Sequence, residues 1–160
     1  MDLDPRVDAI APIAPVSQWF GDGELAAISV PTLIVGGTGD TTTPIETENV
    51  RPFTLIPGPV FRADLEGAVH FSFSNSCDLI QGLIDRRIPV WLIDRILGYE
   101  FRQPCGNDVL NVDEAHRITN LYVVSLFKAF LRSDRRYERF LTEAYASQSE
   151  PNVAFFAKDD

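Results

Sequence analysis

From Val30 to Gly37 the chain runs Val-Pro-Thr-Leu-Ile-Val-Gly-Gly, apolar and β-branched with little polar alternation. A run of this kind predicts a strand covered on both faces and closed by its glycines. Pro59 to Leu65, with the core Val60-Phe61-Arg62-Ala63-Asp64-Leu65, predicts a second strand that ends at Glu66-Gly67. A shorter apolar run, Val7 to Pro15, is bounded by prolines and predicts another strand ahead of both. Trp19 to Ile28 reads as a loop with a short helical turn. Ile45 to Phe53 reads as a short helix, with Pro44 suited to a first helical position and Glu46 and Glu48 near the start. Cys77 to Arg86 predicts a further helix. The clearest helix opens at Asp113-Glu114 and places Ile118, Leu121, Tyr122, Val124, Ser125, Phe127 and Leu131 at helical spacing. Between Ile88 and Asn111 the apolar pattern is broken by Pro89, Gly98, Pro104 and Gly106, and no regular element is predicted there.

The order strand, helix, strand, helix, long helix predicts an α/β fold, a parallel sheet flanked by helices in three αβα layers. The expected organisation is one domain over 1–145, with 88–111 as an irregular insert and 146–160 as a tail. Three strands make a small sheet with a raw edge along Val7 to Ile13, open to self-association or to another chain.

Composition narrows this picture modestly. With 160 residues, 45% of them hydrophobic, the chain is long enough to bury a core. A net charge of −9 argues against nucleic acid and disfavours an anionic membrane surface. No run approaches the roughly 18 apolar residues of a membrane span. Met-Asp-Leu-Asp-Pro at the start lacks the basic and apolar regions of a secretory signal. Cys77 and Cys105 fit neither a CxxC redox site nor a zinc cluster, so no metal is expected. They are either two buried thiols or one disulfide. A bridge would point to an oxidising compartment, secreted or periplasmic; the sequence gives no address of its own.

Two residues carry candidate chemistry. Asp40 follows the Val30–Gly37 strand through Thr38-Gly39, at the carboxyl end where α/β proteins build active sites. The same residue, followed by Thr-Thr-Thr-Pro, also suits an Asx turn or helix cap. His70 stands in the corresponding place after the second strand, in Glu66-Gly67-Ala68-Val69-His70-Phe71-Ser72. A carboxylate and an imidazole on neighbouring strand ends can pair, the acid fixing the tautomer and the other ring nitrogen accepting a proton. His116 lies among charges at the start of the last helix and reads as a solvated surface residue. Ser72, Ser74 and Ser76 follow His70, but no serine in the chain sits in Gly-x-Ser-x-Gly, the setting of a strained nucleophile elbow.

These residues resemble a known family. Val30-Pro31-Thr32-Leu33-Ile34-Val35-Gly36-Gly37-Thr38-Gly39-Asp40-Thr41-Thr42-Thr43-Pro44 resembles the acid-bearing strand and loop of α/β-hydrolases. The likeness is to the branch of dienelactone hydrolases, platelet-activating-factor acetylhydrolase-like enzymes and bacterial cutinase-like polyester hydrolases. Glu66-Gly67-Ala68-Val69-His70-Phe71-Ser72 resembles that branch's base motif. Asp4-Pro5-Arg6-Val7-Asp8-Ala9-Ile10 resembles the strand after the nucleophile region. Val124 to Leu131 with Asp134 to Leu141 resembles the last helix and tail of the cutinase-like enzymes.

The resemblance implies that Asp40 is the acid and His70 the base of a serine ester hydrolase, acting on a small ester without a cofactor. It also implies that the nucleophile and oxyanion loop belong upstream of Asp4, so that this chain is the carboxyl-terminal half of the fold and inactive alone. Trp19 stands where those enzymes carry an aromatic substrate subsite, and packing explains it equally well. The alternative is a non-catalytic hydrolase-like module for binding or assembly.

Overall fold

A computed structural model of the chain describes residues 4–158. The protein is of mixed α/β type, with a three-stranded sheet in the order β1 (Thr32–Gly37), β2 (Val60–Leu65), β3 (Val153–Lys158). Strands β1 and β2 are parallel, with Leu33 opposite Phe61 and Val35 opposite Ala63. Strand β3 runs antiparallel to β2, with Phe155 opposite Ala63. The wholly parallel sheet expected from the sequence is therefore corrected at this edge. Residues 146–160, expected as a tail, contain the end of a helix and all of β3 within the described residues. Val-Ala-Phe-Phe-Ala-Lys is strand-forming, and it stays because Phe155 stacks on Tyr122 with ring centroids 4.8 Å apart.

The run Val7 to Pro15 does not form a regular strand. It touches β1 through two isolated parallel bridges, Ile10 to Thr32 and Ile13 to Val35. Pro12 has no N–H to donate to β1, so the ladder loses a rung between the bridges. Ile10 and Ala14 donate toward β1, and Ile10 and Pro12 accept from it. The alternate residues Ala9, Ala11 and Ile13 make no backbone hydrogen bond among the described residues and form the free edge.

Short helices α1 (Asp22–Ala26) and α2 (Arg51–Leu55) flank one side of the sheet, α2 continuing a π-helical turn over Glu46–Val50. After β2 come α3 (Ser76–Asp85), α4 (Val90–Leu97), α5 (Tyr99–Arg102), the long α6 (Val112–Arg132) and α7 (Glu143–Ser149). Helix α6 begins where the Asn111 side chain accepts the N–H groups of Asp113 and Glu114, and ends at Ser133 in the left-handed region. Its Ala115, Ile118, Tyr122, Leu126 and Ala129 bury against Leu33, Val35, Phe61 and Ala63. Each large side chain so buried contributes roughly 1.5–3 kcal/mol before entropy is counted. On the opposite face Ile34 and Val60 pack with Ile56, Ile28 and Phe53.

The expected irregular insert 88–111 contains two helices. The breakers sit at helix boundaries rather than inside helices. Pro89 caps α4, Gly98 separates α4 from α5 with φ of 89°, and Pro104 falls in a terminal 3-10 turn.

Candidate active site

Asp40 and His70 reach each other because the two loops beyond β1 and β2 touch. Gly39 donates to the Ala68 carbonyl at 2.9 Å, and Gly67 donates to the Thr38 hydroxyl at 2.9 Å. A Cβ on Gly37 would lie 2.2 Å from the Ala68 oxygen, so only glycine permits this approach. Gly67, at φ 71°, makes the turn that starts the second loop.

The Asp40 side chain is wholly buried and fully occupied. Oδ1 accepts the backbone N–H groups of Thr42 and Thr43, each at 2.8 Å. Oδ2 accepts the Thr43 hydroxyl at 2.6 Å and lies 2.9 Å from His70 Nδ1. The turn role and the pairing role suggested by the sequence thus coexist on separate oxygens. A carboxylate only accepts, so the proton of this contact belongs to Nδ1. His70 Nε2 makes no hydrogen bond among the described residues, and the side chain is 24% exposed. The ring meets Phe71 edge-on at 5.1 Å between centroids, and Phe71 in turn packs on Phe101 of α5 at 4.3 Å. The arrangement can therefore hold one imidazole tautomer and present Nε2 for a proton.

Of the three neighbouring serines, Ser72 and Ser74 are engaged locally and the Ser76 hydroxyl is buried without a partner among the described residues. Ser72 is buried and its hydroxyl accepts the Val69 N–H at 2.9 Å, while the Ser74 hydroxyl donates to the Phe71 carbonyl at 2.8 Å. Trp19 is 81% exposed, so the packing reading is corrected: its turn is held from below, not by the indole. Ser17 Oγ and the Gln18 N–H both donate to buried Glu48, each at 3.0 Å. No hydrogen bond or aromatic contact joins Trp19 to Asp40 or His70 among the described residues.

Cys77 and Cys105 are joined by a disulfide, with Cα atoms 5.4 Å apart, tying α3 to the turn after α5. His116 is half-buried rather than solvated, and its Nε2 is buried without a partner. It lines a small cavity of about 290 Å³ with Asn75, Asp78, Asn111 and Asp113 beside the disulfide. Sequence reasoning missed Thr43 as a member of the site. Its signal was the spacing from Asp40, which puts a hydroxyl back over the carboxylate at the end of an Asx-type turn.

Among the described residues no group of histidine, cysteine and acidic side chains is placed to hold a metal ion. No helix of the described residues is long and apolar enough to cross a membrane. No family model matches the chain.

Proposed function

We propose that this chain supplies the acid and the base of a serine ester hydrolase of the α/β-hydrolase type, with a nucleophile that comes from outside the residues described. The observation that carries the reading is the 2.9 Å contact between Asp40 Oδ2 and His70 Nδ1, with Nε2 left free and partly exposed. In the reaction, Nε2 takes the proton of an incoming serine hydroxyl as its oxygen attacks the ester carbonyl. Asp40 stabilises the imidazolium through Nδ1–H. The imidazolium then returns the proton to the leaving alcohol, and water cleaves the acyl-enzyme with Nε2 again as base. Backbone donors for the oxyanion come with the nucleophile segment. The substrate is a small carboxylic ester, and no cofactor is required. The Cys77–Cys105 bond suits work in an oxidising compartment.

Two assays test this reading. The purified chain should not hydrolyse a short-chain p-nitrophenyl ester faster than its Asp40→Ala/His70→Ala variant. Turnover by the chain alone that the double variant loses would show that the nucleophile is already present. Supplied with a polypeptide carrying a Gly-x-Ser-x-Gly strand and helix, the chain should gain turnover that His70→Ala abolishes. Gain that survives His70→Ala would remove His70 from the mechanism.

A second reading, a binding or assembly module, is favoured by the free edge. Ala9, Ala11 and Ile13 offer unpaired backbone groups beside an apolar groove of about 840 Å³ whose lining includes Ile10, Pro12, Leu25, Ile28, Ile34 and Ile56. If the edge pairs with a second copy, sedimentation should show a dimer that Ile13→Lys dissociates. A monomer at all concentrations removes that form of the reading.

A further inference from the structure

Helix α4 is apolar on both of its sides. Ile93 is buried and Leu97 half-buried against the body of the protein, while Trp91 and Ile96 on the outward half are 67% and 69% exposed. Val90 adds further exposed apolar surface at the start of the helix. A surface helix ordinarily turns a mainly polar face to water, and large apolar side chains exposed together on its outward half imply that something covers them. Arg95 shares the outward half with Trp91 and Ile96, and Arg86 and Arg87 stand exposed in the turn before the helix. Among the described residues none of these three arginines forms an ion pair. The nearby acid Asp94 is already neutralised by Arg102, at 2.8 and 3.0 Å. Exposed Asp85 and Glu100 stand in the same segment, so beside the exposed apolar side of α4 three unpaired arginines stand with two carboxylates, a local balance opposite in sign to the molecule's −9.

We propose that α4 is an interfacial anchor for an anionic phospholipid surface. Trp91 and Ile96 enter the headgroup boundary, and Arg86, Arg87 and Arg95 meet the lipid phosphates. The long arginine stems lie along the apolar layer while their heads stay in the polar one. The unfavourable net charge matters less than the sequence alone suggests. Fields from carboxylates beyond a Debye length of roughly 8–10 Å are screened, which leaves Arg86, Arg87 and Arg95 against Asp85 and Glu100 as the local balance. The anchor is held in a fixed attitude. Asp94–Arg102 joins α4 to α5, Phe101 packs on Phe71, and the Cys77–Cys105 bond closes the segment at its base. This inference does not depend on the hydrolase reading.

The chain has two tryptophans, so Trp19→Phe leaves Trp91 as the sole indole reporter. With mixed phosphatidylcholine–phosphatidylglycerol vesicles, Trp91 emission should shift to the blue and be quenched by brominated acyl chains. Partition should weaken roughly tenfold on Arg95→Glu and fall steeply with added salt. Ile96→Asp, at an exposed position that leaves the fold intact by circular dichroism, should abolish the shift. Unchanged emission with saturating vesicles overturns the proposal, as does equal partition onto pure phosphatidylcholine. So does a lipid-free dimer that already buries Trp91, because a second copy would then be the cover.

Discussion

Thr43 determines how firmly Asp40 grips His70. Its backbone N–H and its hydroxyl bind opposite oxygens of the carboxylate, which fixes the carboxylate plane before the imidazole arrives. In the neutral protein His70 should therefore be the Nδ1–H tautomer, read from the ¹⁵N shifts of the two ring nitrogens. Thr43→Val should keep that tautomer, speed exchange of the Nδ1 proton, and lower stability by about 1 kcal/mol, the ordinary worth of one hydrogen bond. Asp40→Asn should lose the tautomer preference. An Nε2–H tautomer in the unsubstituted protein would contradict the geometry. Asp40 and His70 were visible in the sequence because each follows a strand through small residues. Thr43 had only its spacing from Asp40 as a signal, and with Thr41 and Thr42 beside it that spacing did not single it out. Tyr122 was legible as core but not as a cost. Its ring is fully buried on Phe155, its hydroxyl has no partner, and burial pushes its phenol pKa up. Tyr122→Phe should raise stability by about 1 kcal/mol, because it removes an unsatisfied polar atom and keeps the stack. A loss of stability on thermal melting would mean that the hydroxyl has a partner.

At the scale of elements, β1, β2, α3 and α6 followed from local pattern, while α4, α5 and β3 did not, and the strand expected over Val7 to Pro15 is reduced to two isolated bridges. Proline and glycine in 88–111 look like breaks until it is seen that they sit at the helix ends. Strand β3 lacks any neighbour in sequence with which to pair, and its place depends on contacts across the fold. Arg117 is central among these contacts. It joins Glu114 on its own helix α6 to Glu150 at the junction of α7 and β3. Glu150 is buried, and without Arg117 its remaining side-chain contact is the Tyr145 hydroxyl at 3.5 Å. Arg117→Met should cost about 1–3 kcal/mol, less than a fully buried pair because the arginine is half-exposed. The loss should appear first as faster amide exchange in β3. The hydrogen bond from Arg117 also holds the Glu114 carboxyl below its usual range. A folded pKa below the unfolded value gives stability that is present above the unfolded pKa and lost as pH falls through the folded one. The acid limb of the stability profile should therefore flatten in Arg117→Met. An unchanged acid limb would assign that limb to other carboxylates.

For the molecule as a whole, two regions have different supports. Helix α6, α7 and β3 are joined by a shared apolar core. The α4–α5 segment has little buried surface of its own, with Ile93 as its one buried apolar side chain among the described residues of those two helices. What holds it is the Phe71–Phe101 contact, the Asp94–Arg102 pair and the disulfide. The sequence left the cysteines undecided because a bridge needs a spatial approach that spacing alone does not reveal. The 28-residue separation of Cys77 and Cys105 makes the bridge worth about 3–4 kcal/mol in the chain-entropy account. Cys77→Ala/Cys105→Ala should therefore lower the melting temperature while leaving the sheet and α6 folded. Limited proteolysis of that variant should cut first between residues 86 and 105. Because Phe101 packs against the turn that carries His70, loosening there should also broaden the His70 ring resonances, with Asp40 still buried. If cleavage begins instead at α7 or β3, the disulfide supports the core itself, and the division between an independent core and a clasped segment is wrong.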